Sequence, residues 1–133
     1  MHAASEHGHI AGIIGFGKVL KWLESWDVRT LNHALYQLAE QAKQRLLSYP
    51  NLKLIGNLKT SPTISFTFTG QHHADIAAIL TEQHIALRVG EHCAKPYLRY
   101  LEETGTLRIS LAHYNNKTDL VQFFQGLDAA LAI

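Results

Sequence analysis

The sequence predicts an α+β fold within the broader α/β class: a two-layer sandwich in which a small, mostly antiparallel sheet carries helices on one face, preceded by two helices. Apolar residues recur at helical spacing through the early part of the chain. Around positions 64–68, apolar and polar residues alternate strictly, which is typical of a half-buried strand. The length of 133 residues, 47% of them apolar, suits one globular domain or one domain with a small appendage.

Two helices are predicted before the first strand. Apolar spacing predicts a helix over 10–26, and Asp27 is suited to cap a second helix that ends at Pro50. Three glycines lower the helix propensity of the first segment and indicate close packing against another backbone. The two helices either extend the core or belong to a larger body, and the sequence leaves both alternatives open.

Short strands and helices follow along the rest of the chain. Their apolar patterns predict strands at 52–55, 63–68, 85–89 and 107–111, and helices at 75–83 and 97–101. Gly90 is expected to break the third strand. Asn116, followed three residues later by Asp119, predicts a capping box at the start of the last helix. This mixed order favours one small antiparallel sheet with its helices on one face.

Composition and charge argue against several classes of function. The net charge is +1 and no basic run stands out, which argues against binding to nucleic acid or to a membrane surface. The apolar run 10–17 is shorter than the roughly 20 residues of a membrane span, and basic residues follow it where a signal peptide has them before. The only cysteine, Cys93, permits neither an internal disulfide nor a cysteine-based zinc site. We therefore expect a cytoplasmic protein.

The most reactive candidate in the sequence is Cys93, which follows a predicted strand and precedes a proline. Such a loop position makes the thiol accessible. Arg88, His92 and Lys95 favour its thiolate form, whereas Glu91 opposes it. Because the thiolate is the nucleophile, this pattern favours a reactive cysteine. The alternative is a buried cysteine that acts as a small hydrophobic residue.

An arginine and several histidines are the other candidates. Leu107 and Ile109 share one face of their strand, so Arg108 points to the other face. There it is either a solvated side chain or a clamp for a carboxylate. The adjacent His72 and His73 diverge on a helix, which argues against a shared metal ion, and we predict no metal site. A further histidine with its two neighbours could line the same end of the sheet as the cysteine: His113, Tyr114 and Asn115.

Four ordered segments resemble a known enzyme family. The cysteine segment reads Arg88-x-Gly90-x-His92-Cys93-Ala94-x-Pro96. The other three are Ile10-Ala11-Gly12-Ile13-Ile14-Gly15, His72-His73-Ala74-Asp75, and Thr106-Leu107-Arg108-Ile109-Ser110 with Tyr114-Asn115. Together they resemble the type II cysteine desulfurases, the SufS/CsdA-like branch of the class V aminotransferase superfamily. The likeness is greatest to the cysteine sulfinate desulfinase type and extends over nearly the whole chain.

The resemblance implies a reaction and site residues. Members of this family use pyridoxal phosphate (PLP) to take sulfur from L-cysteine, or act on cysteine sulfinate, and release alanine. Cys93 matches the residue that becomes a persulfide, and Arg108 matches the arginine that binds the substrate carboxylate. Arg88 and His92 match supporting residues beside the cysteine. The resemblance further implies sulfur transfer for iron-sulfur cluster assembly or related pathways, a homodimer, and a SufE/CsdE-like acceptor protein.

The chain departs from the family in one important respect. None of its lysines lies in a context that matches the PLP-binding lysine. The sequence is therefore interpreted as the C-terminal part alone, which holds no PLP and is inactive by itself. It divides into an irregular segment 1–9, helices 10–50 that lead from the missing large domain, and a small α/β domain 51–133. The alternative is a stand-alone persulfide carrier or interaction module without PLP chemistry.

Overall fold

The computed structural model describes residues 9–56 and 59–132, which form five helices and four strands. In chain order these are α1 (Ile10–Glu24), α2 (Val28–Leu47), β1 (Leu52–Ile55), β2 (Thr63–Phe68), α3 (His73–Glu82), β3 (Arg88–Gly90), α4 (Lys95–Tyr100), β4 (Thr106–Ser110) and α5 (Lys117–Leu131). The predicted irregular segment 1–9, apart from its last residue, lies outside the described residues. The predicted α+β class with an antiparallel sheet is confirmed.

The strands form one sheet in the order β1-β2-β4-β3, and every neighbouring pair is antiparallel. Phe66 lies opposite Leu54 on one side and Leu107 on the other, and Ile64 lies opposite Ile109. Cross-strand partners project to the same face, so these residues give the sheet one apolar face. The side chains of α2, α3 and α5 pack against that face and complete the core.

Side chains cap the helices that pack on the sheet. The carboxylate of Asp27 accepts a hydrogen bond from the backbone N–H of Thr30 at the start of α2. At the start of α5, the Asn116 side chain accepts from the Asp119 backbone N–H, and the Asp119 carboxylate accepts from the Asn116 backbone N–H. The predicted capping box is therefore confirmed. Each cap satisfies N–H groups that have no partner within the helix.

The opposite face of the sheet is polar and carries the segment between β3 and β4. Lys53, on β1, projects to this face and donates to the Leu101 carbonyl at 3.4 Å and to the Glu103 carboxylate at 2.9 Å. Because the segment begins at β3 and reaches β1, it crosses the whole width of the sheet. Helix α4 in this segment buries Leu98 outside the main core. The sheet thus has three helices on its apolar face and one short helix on its polar face.

The first two helices differ in whether they pack against the sheet and its core. Helix α2 supplies Leu38, Ala42 and Leu46 to the core, so it extends the core. Helix α1 buries none of its residues, although it carries eight exposed large apolar side chains. The division of the chain at residue 50 stays a prediction.

The third strand is shorter than its apolar pattern indicates. The sequence predicts a strand over 85–89, but β3 begins only at Arg88 and includes Gly90. The Ile85 N–H instead donates to the Leu80 carbonyl, and the Ile85 side chain packs against the core. The apolar residues at 85 and 87 therefore belong to the connection after α3, where they are partly buried without being paired in the sheet.

Candidate active site

Cys93 lies at the tip of a tight turn that leaves the edge strand β3. The Ala94 N–H donates to the Glu91 carbonyl at 2.8 Å, which closes the turn around His92 and Cys93. Both central residues have positive φ, 51° for His92 and 59° for Cys93. Positive φ at both central positions is the requirement of a type I′ turn, which glycine and asparagine usually fulfil. The thiol is exposed, so the alternative of a buried cysteine is wrong.

Two arginines face each other beside this turn. Arg88 on β3 lies directly opposite Arg108 on β4, and both project to the polar face of the sheet. Among the described residues neither guanidinium forms an ion pair, and the buried Nε of Arg108 has no hydrogen-bond partner. Like charges directly opposite each other are unfavourable in a sheet. Such a pair is stabilised by an anion, for which two guanidiniums offer forked donor geometry.

His92 is the inward-facing neighbour of the cysteine. Its Nδ1 and Nε2 atoms are both buried, and neither has a hydrogen-bond partner in the described part of the chain. Burial lowers the pKa of His92, and the positive charges of Arg108 and Arg88 lower it further, whereas the backbone of Thr106 acts in the opposite direction. The ring is therefore neutral at pH 7 and adds no positive charge next to the thiol.

The charged residues in the loop compensate each other. Lys95 Nζ lies 3.3 Å from a carboxylate oxygen of Glu91, and both side chains are about half exposed. The sequence predicts that Lys95 and His92 favour the thiolate. The ion pair engages the first of these cations, and the second is neutral. The positive charge near the turn therefore belongs to Arg88 and Arg108.

His73 and Gly105 also lie in this region, although no sequence pattern connects them with the cysteine segment. A Cβ at Gly105 would come within 2.5 Å of the His73 Nε2 atom, so only glycine leaves room for the ring. Burial lowers the pKa of His73, and the nearby His72 and His92 lower it further, against smaller contributions from Asp75 and Glu103. A glycine directly before a strand was the available signal of this close approach.

His113 lies at the other end of the sheet, which corrects one expectation. Cys93 follows the end of β3, next to the start of β4, because Gly90 pairs with Thr106. His113 comes after the end of β4, and its ring nitrogen lies 2.9 Å from the Asn32 side chain of α2. The antiparallel register therefore separates His113 and its neighbours from the cysteine.

The described residues do not fit a PLP site. A PLP-binding lysine needs an amine that is free to bond the cofactor inside a pocket. Lys43, Lys53 and Lys95 are engaged with carboxylates. Lys18 and Lys21 are exposed on α1, Lys59 is exposed in the connection before β2, and Lys117 is exposed at the start of α5. No lysine in residues 9–56 and 59–132 meets the requirement, and we derive no step through the cofactor.

The described part of the chain contains neither a candidate metal site nor a candidate membrane-spanning helix. Within residues 9–56 and 59–132, no group of three histidine, cysteine, aspartate or glutamate side chains is placed to hold a metal ion. None of the helices in those residues combines the length and apolar character that crossing a membrane requires. His2 and His7 lie outside the described residues.

The comparison with protein families decides the affiliation of the chain. Residues 5–123 match the family described as aminotransferase class V. The chain belongs to the class V aminotransferase family. Two curated relatives in this family are a probable cysteine desulfurase of Pasteurella multocida, 48% identical over 94% of this chain, and the cysteine desulfurase CsdA of Escherichia coli, 38% identical over 94% of it.

A solved class V structure shares the fold. The crystal structure of Escherichia coli CsdA, in its S-sulfonic acid form, has a TM-score of 0.84 and 36% sequence identity and covers 99% of this chain. The chain spans about a third of these relatives: 30% of the Pasteurella multocida protein and 31% of CsdA. The resemblance to the CsdA-like cysteine desulfurases is therefore confirmed. That the match is to their C-terminal third stays a prediction.

Proposed function

We propose that this chain is the cysteine-bearing part of a PLP-dependent cysteine desulfurase or cysteine sulfinate desulfinase, and that Cys93 takes sulfur from L-cysteine. The observation that carries the proposal is an exposed thiol on the tight turn after β3, where Arg88 and Arg108 lie opposite each other with no ion pair to any described residue. In this proposal, segment 51–133 is the small α/β domain, segment 10–50 leads from a large domain, and 1–9 is an irregular start. The PLP lysine belongs to the complete enzyme.

The proposed sulfur transfer from L-cysteine conserves atoms and electrons. A bond forms between the Cys93 sulfur and the substrate sulfur, and the bond between the substrate sulfur and its β-carbon breaks. The carbon keeps that electron pair and takes up a proton, which gives alanine. The products are a Cys93 persulfide and alanine, from one thiol and one L-cysteine. The exposed position of Cys93 leaves the persulfide open to a second protein.

Arg108 is the proposed binding group for the substrate carboxylate, with Arg88 in support. The Arg108 side chain is partly buried, so its charge is less screened than that of a fully exposed arginine. A carboxylate between the two guanidiniums would relieve their repulsion and supply the acceptor that Arg108 Nε lacks. The α-carboxylate would thereby bring the substrate next to the Cys93 turn.

The remaining parts of the proposal follow from the family. PLP acts in the complete enzyme, and this chain alone binds none and is inactive. We further propose a cytoplasmic homodimer that passes sulfur to a SufE/CsdE-like acceptor for iron-sulfur cluster assembly or other sulfur-transfer pathways. Purified chain mixed with PLP should show no absorbance band that borohydride removes. A band of that kind would contradict the inactivity of the chain.

A chimera tests the main proposal. In it, this chain replaces the matching third of Escherichia coli CsdA, with which it shares 38% identity. The chimera should release alanine from L-cysteine. The Cys93→Ala chimera should lose persulfide and multiple-turnover activity, while Arg108→Ala should mainly raise KM for L-cysteine. A folded chimera with equal activity in the presence and absence of Cys93 would contradict the proposal, and an unchanged KM would remove Arg108 from the substrate site.

A stand-alone persulfide carrier is the second candidate. The observation that favours it is the exposed thiol in a chain whose described lysines do not fit PLP. A carrier would accept one sulfur atom from a small persulfide and pass it to another thiol. Mass spectrometry of the isolated chain should then show one added sulfur at Cys93, and Cys93→Ala should show none. A chain that stays unmodified would leave only the first candidate.

A further inference from the structure

The turn that carries Cys93 is strained by its sequence. His92 and Cys93 both adopt the left-handed region, with φ of 51° and 59°. A residue with a side chain in that region costs of order 1–3 kcal/mol and persists only where the surrounding structure imposes it. Two such residues in succession, neither of them glycine or asparagine, therefore need an anchor.

The backbone hydrogen bond and the surface ion pair of the turn do little to hold it in this conformation. One backbone hydrogen bond closes it, from the Ala94 N–H to the Glu91 carbonyl. The Glu91–Lys95 ion pair bridges two side chains that are about half exposed, and exposed pairs of this kind contribute little. Cys93 itself is exposed, so burial of its own side chain does not fix the turn.

The His92 side chain has the position that an anchor requires. Its ring nitrogens are buried, whereas the next residue along the chain is exposed. The groups near the ring are Arg88 on β3, Thr106 and Arg108 on β4, and His73 at the start of α3. The buried ring nitrogens therefore lie near groups of the β3–β4 pair, while the neighbouring Cys93 is exposed. Histidine also tolerates the left-handed region better than most residues.

We propose that His92 is a positioning residue whose buried ring holds the turn in its left-handed conformation and thereby keeps the Cys93 thiol exposed next to Arg88 and Arg108. The effect on sulfur transfer rests on the proposed function of Cys93, whereas the anchoring of the turn does not. His92 acts through the turn and forms no bond to the transferred sulfur. Its contribution comes from a ring of the right size in a buried place.

Two substitutions in the full chain distinguish the contribution of the His92 ring from the tolerance of residue 92 for a positive φ. His92→Asn keeps a residue that tolerates positive φ but removes the ring, whereas His92→Phe keeps a buried ring without nitrogens. His84→Asn is the matched control, because His84 also has a positive φ, 59°, but is exposed. Hydrogen exchange of the Ala94 amide reports the turn, and exchange of the Phe66 amide reports the core of the sheet.

Hydrogen exchange is expected to become faster in the turn only, and only in the variant that lacks the ring. His92→Asn should speed exchange of the Ala94 amide about tenfold or more and leave the Phe66 amide within about threefold of the original chain. His92→Phe and His84→Asn should leave both amides within about threefold. Unchanged Ala94 exchange in His92→Asn would overturn the proposal. Equal acceleration of both amides, or no rescue by His92→Phe, would overturn it as well.

A second measurement keeps this proposal distinct from the proposed function. The rate at which a small persulfide adds one sulfur to Cys93 is measured by mass spectrometry in the same variants. His92→Asn should slow the addition several-fold, and His92→Phe should restore it. Absence of any addition in the original chain would count against the role of Cys93, while the exchange data would still decide whether His92 anchors the turn. Unslowed addition in His92→Asn would overturn the link between anchoring and reactivity.

Discussion

Helices α1 and α5 are both fifteen residues long and rich in apolar residues, but only α5 is buried. Helix α5 buries six residues, among them Phe123, Phe124 and Leu127, against the sheet and α3. Helix α1 buries none, and its Ile13, Phe16 and other apolar side chains stay exposed. A surface of that kind marks a place of interaction in soluble proteins.

The difference between the two helices lies in how their apolar residues are arranged. Those of α5 form a stripe that one neighbouring layer covers, which is the pattern of a helix on the surface of a domain. Those of α1 are spread around the helix, which is the pattern of a helix surrounded by other elements. Burial therefore depends on whether the surrounding layers are present, and apolar content alone does not decide it. Helix α1 has the sequence of a core helix and, in the described residues, no core around it.

The largest expected effect compares two phenylalanines. Phe66 is fully buried and contacts the rings of Phe68 and Phe123, whereas Phe16 on α1 is 63% exposed. Phe66→Ala should lower the free energy of unfolding by about 3–5 kcal/mol, because it removes a buried ring and leaves a cavity. Phe16→Ala should change it by less than about 0.5 kcal/mol. Urea denaturation of both variants tests the contrast, and similar losses would show that α1 is packed after all.

Two glycines give the next effect. A Cβ at Gly126 of α5 would come within 2.5 Å of the Ile85 Cδ1 atom and 3.0 Å of the Leu80 Cδ2 atom. Gly126→Ala should therefore destabilise the chain by about 1–2 kcal/mol, even after the gain in helix propensity of about 1 kcal/mol. Gly15 of α1 has no such neighbour within 4 Å, so Gly15→Ala should only increase helicity. Thermal unfolding and circular dichroism distinguish these outcomes; a stabilising Gly126→Ala would show that the neighbours move aside.

The helix caps should give a smaller contrast. Asn116→Ala removes the capping box of α5 and should cost about 1 kcal/mol in the free energy of unfolding. At α1, the His9 ring accepts a hydrogen bond from the Gly12 N–H at 2.9 Å. His9→Ala should reduce the helix signal in circular dichroism without changing the urea midpoint. A shifted midpoint in His9→Ala would mean that α1 unfolds together with the sheet.

The smallest expected effect is a pH dependence of the free energy of unfolding, caused by two histidines near the sheet. The pKa values of His73 and His92 are lowered in the folded chain, so the unfolded chain binds more protons just below the ordinary histidine value of about 6.5. The free energy of unfolding should be fully retained above that value and decrease as the pH falls through the lowered pKa values. His73→Gln should flatten this dependence in urea titrations at several pH values. The exposed His33→Gln is the control, and equal flattening in both would contradict the assignment.

Local patterns in the sequence were sufficient for much of the fold. Strands β1 and β2 begin and end at the predicted residues, and the Asn116 capping box forms as predicted. These features depend on neighbouring residues, which alternate or cap within a few positions. The third strand was predicted too early because apolar spacing does not distinguish a paired strand from an unpaired connection whose apolar side chains touch the core. Only the register with β4 shows that pairing starts at Arg88.

The accessibility of Cys93 was predictable from the sequence, but the arrangement of the residues around it was not. The loop position and the neighbours of Cys93 pointed to an accessible thiol, which the structure confirms. The positive φ values at His92 and Cys93 could not be predicted, because neither residue type requires them and the contacts around the ring come from distant strands. Strand register alone places Arg88 opposite Arg108, and it also places His113 at the end of the sheet away from Cys93. Neither position could be predicted from the sequence.

Strand β3 pairs with a single neighbour and only over three residues, from Arg88 to Gly90. Everything between Gly90 and β4 therefore lies outside the hydrogen-bonded ladder of the sheet. An insertion after Gly90 adds loop-closure entropy, which grows only slowly with length, and disrupts no strand pairing. The fold thus lets the Cys93 segment vary in length, or be exchanged for another in a designed protein, while the scaffold beneath it keeps its sequence.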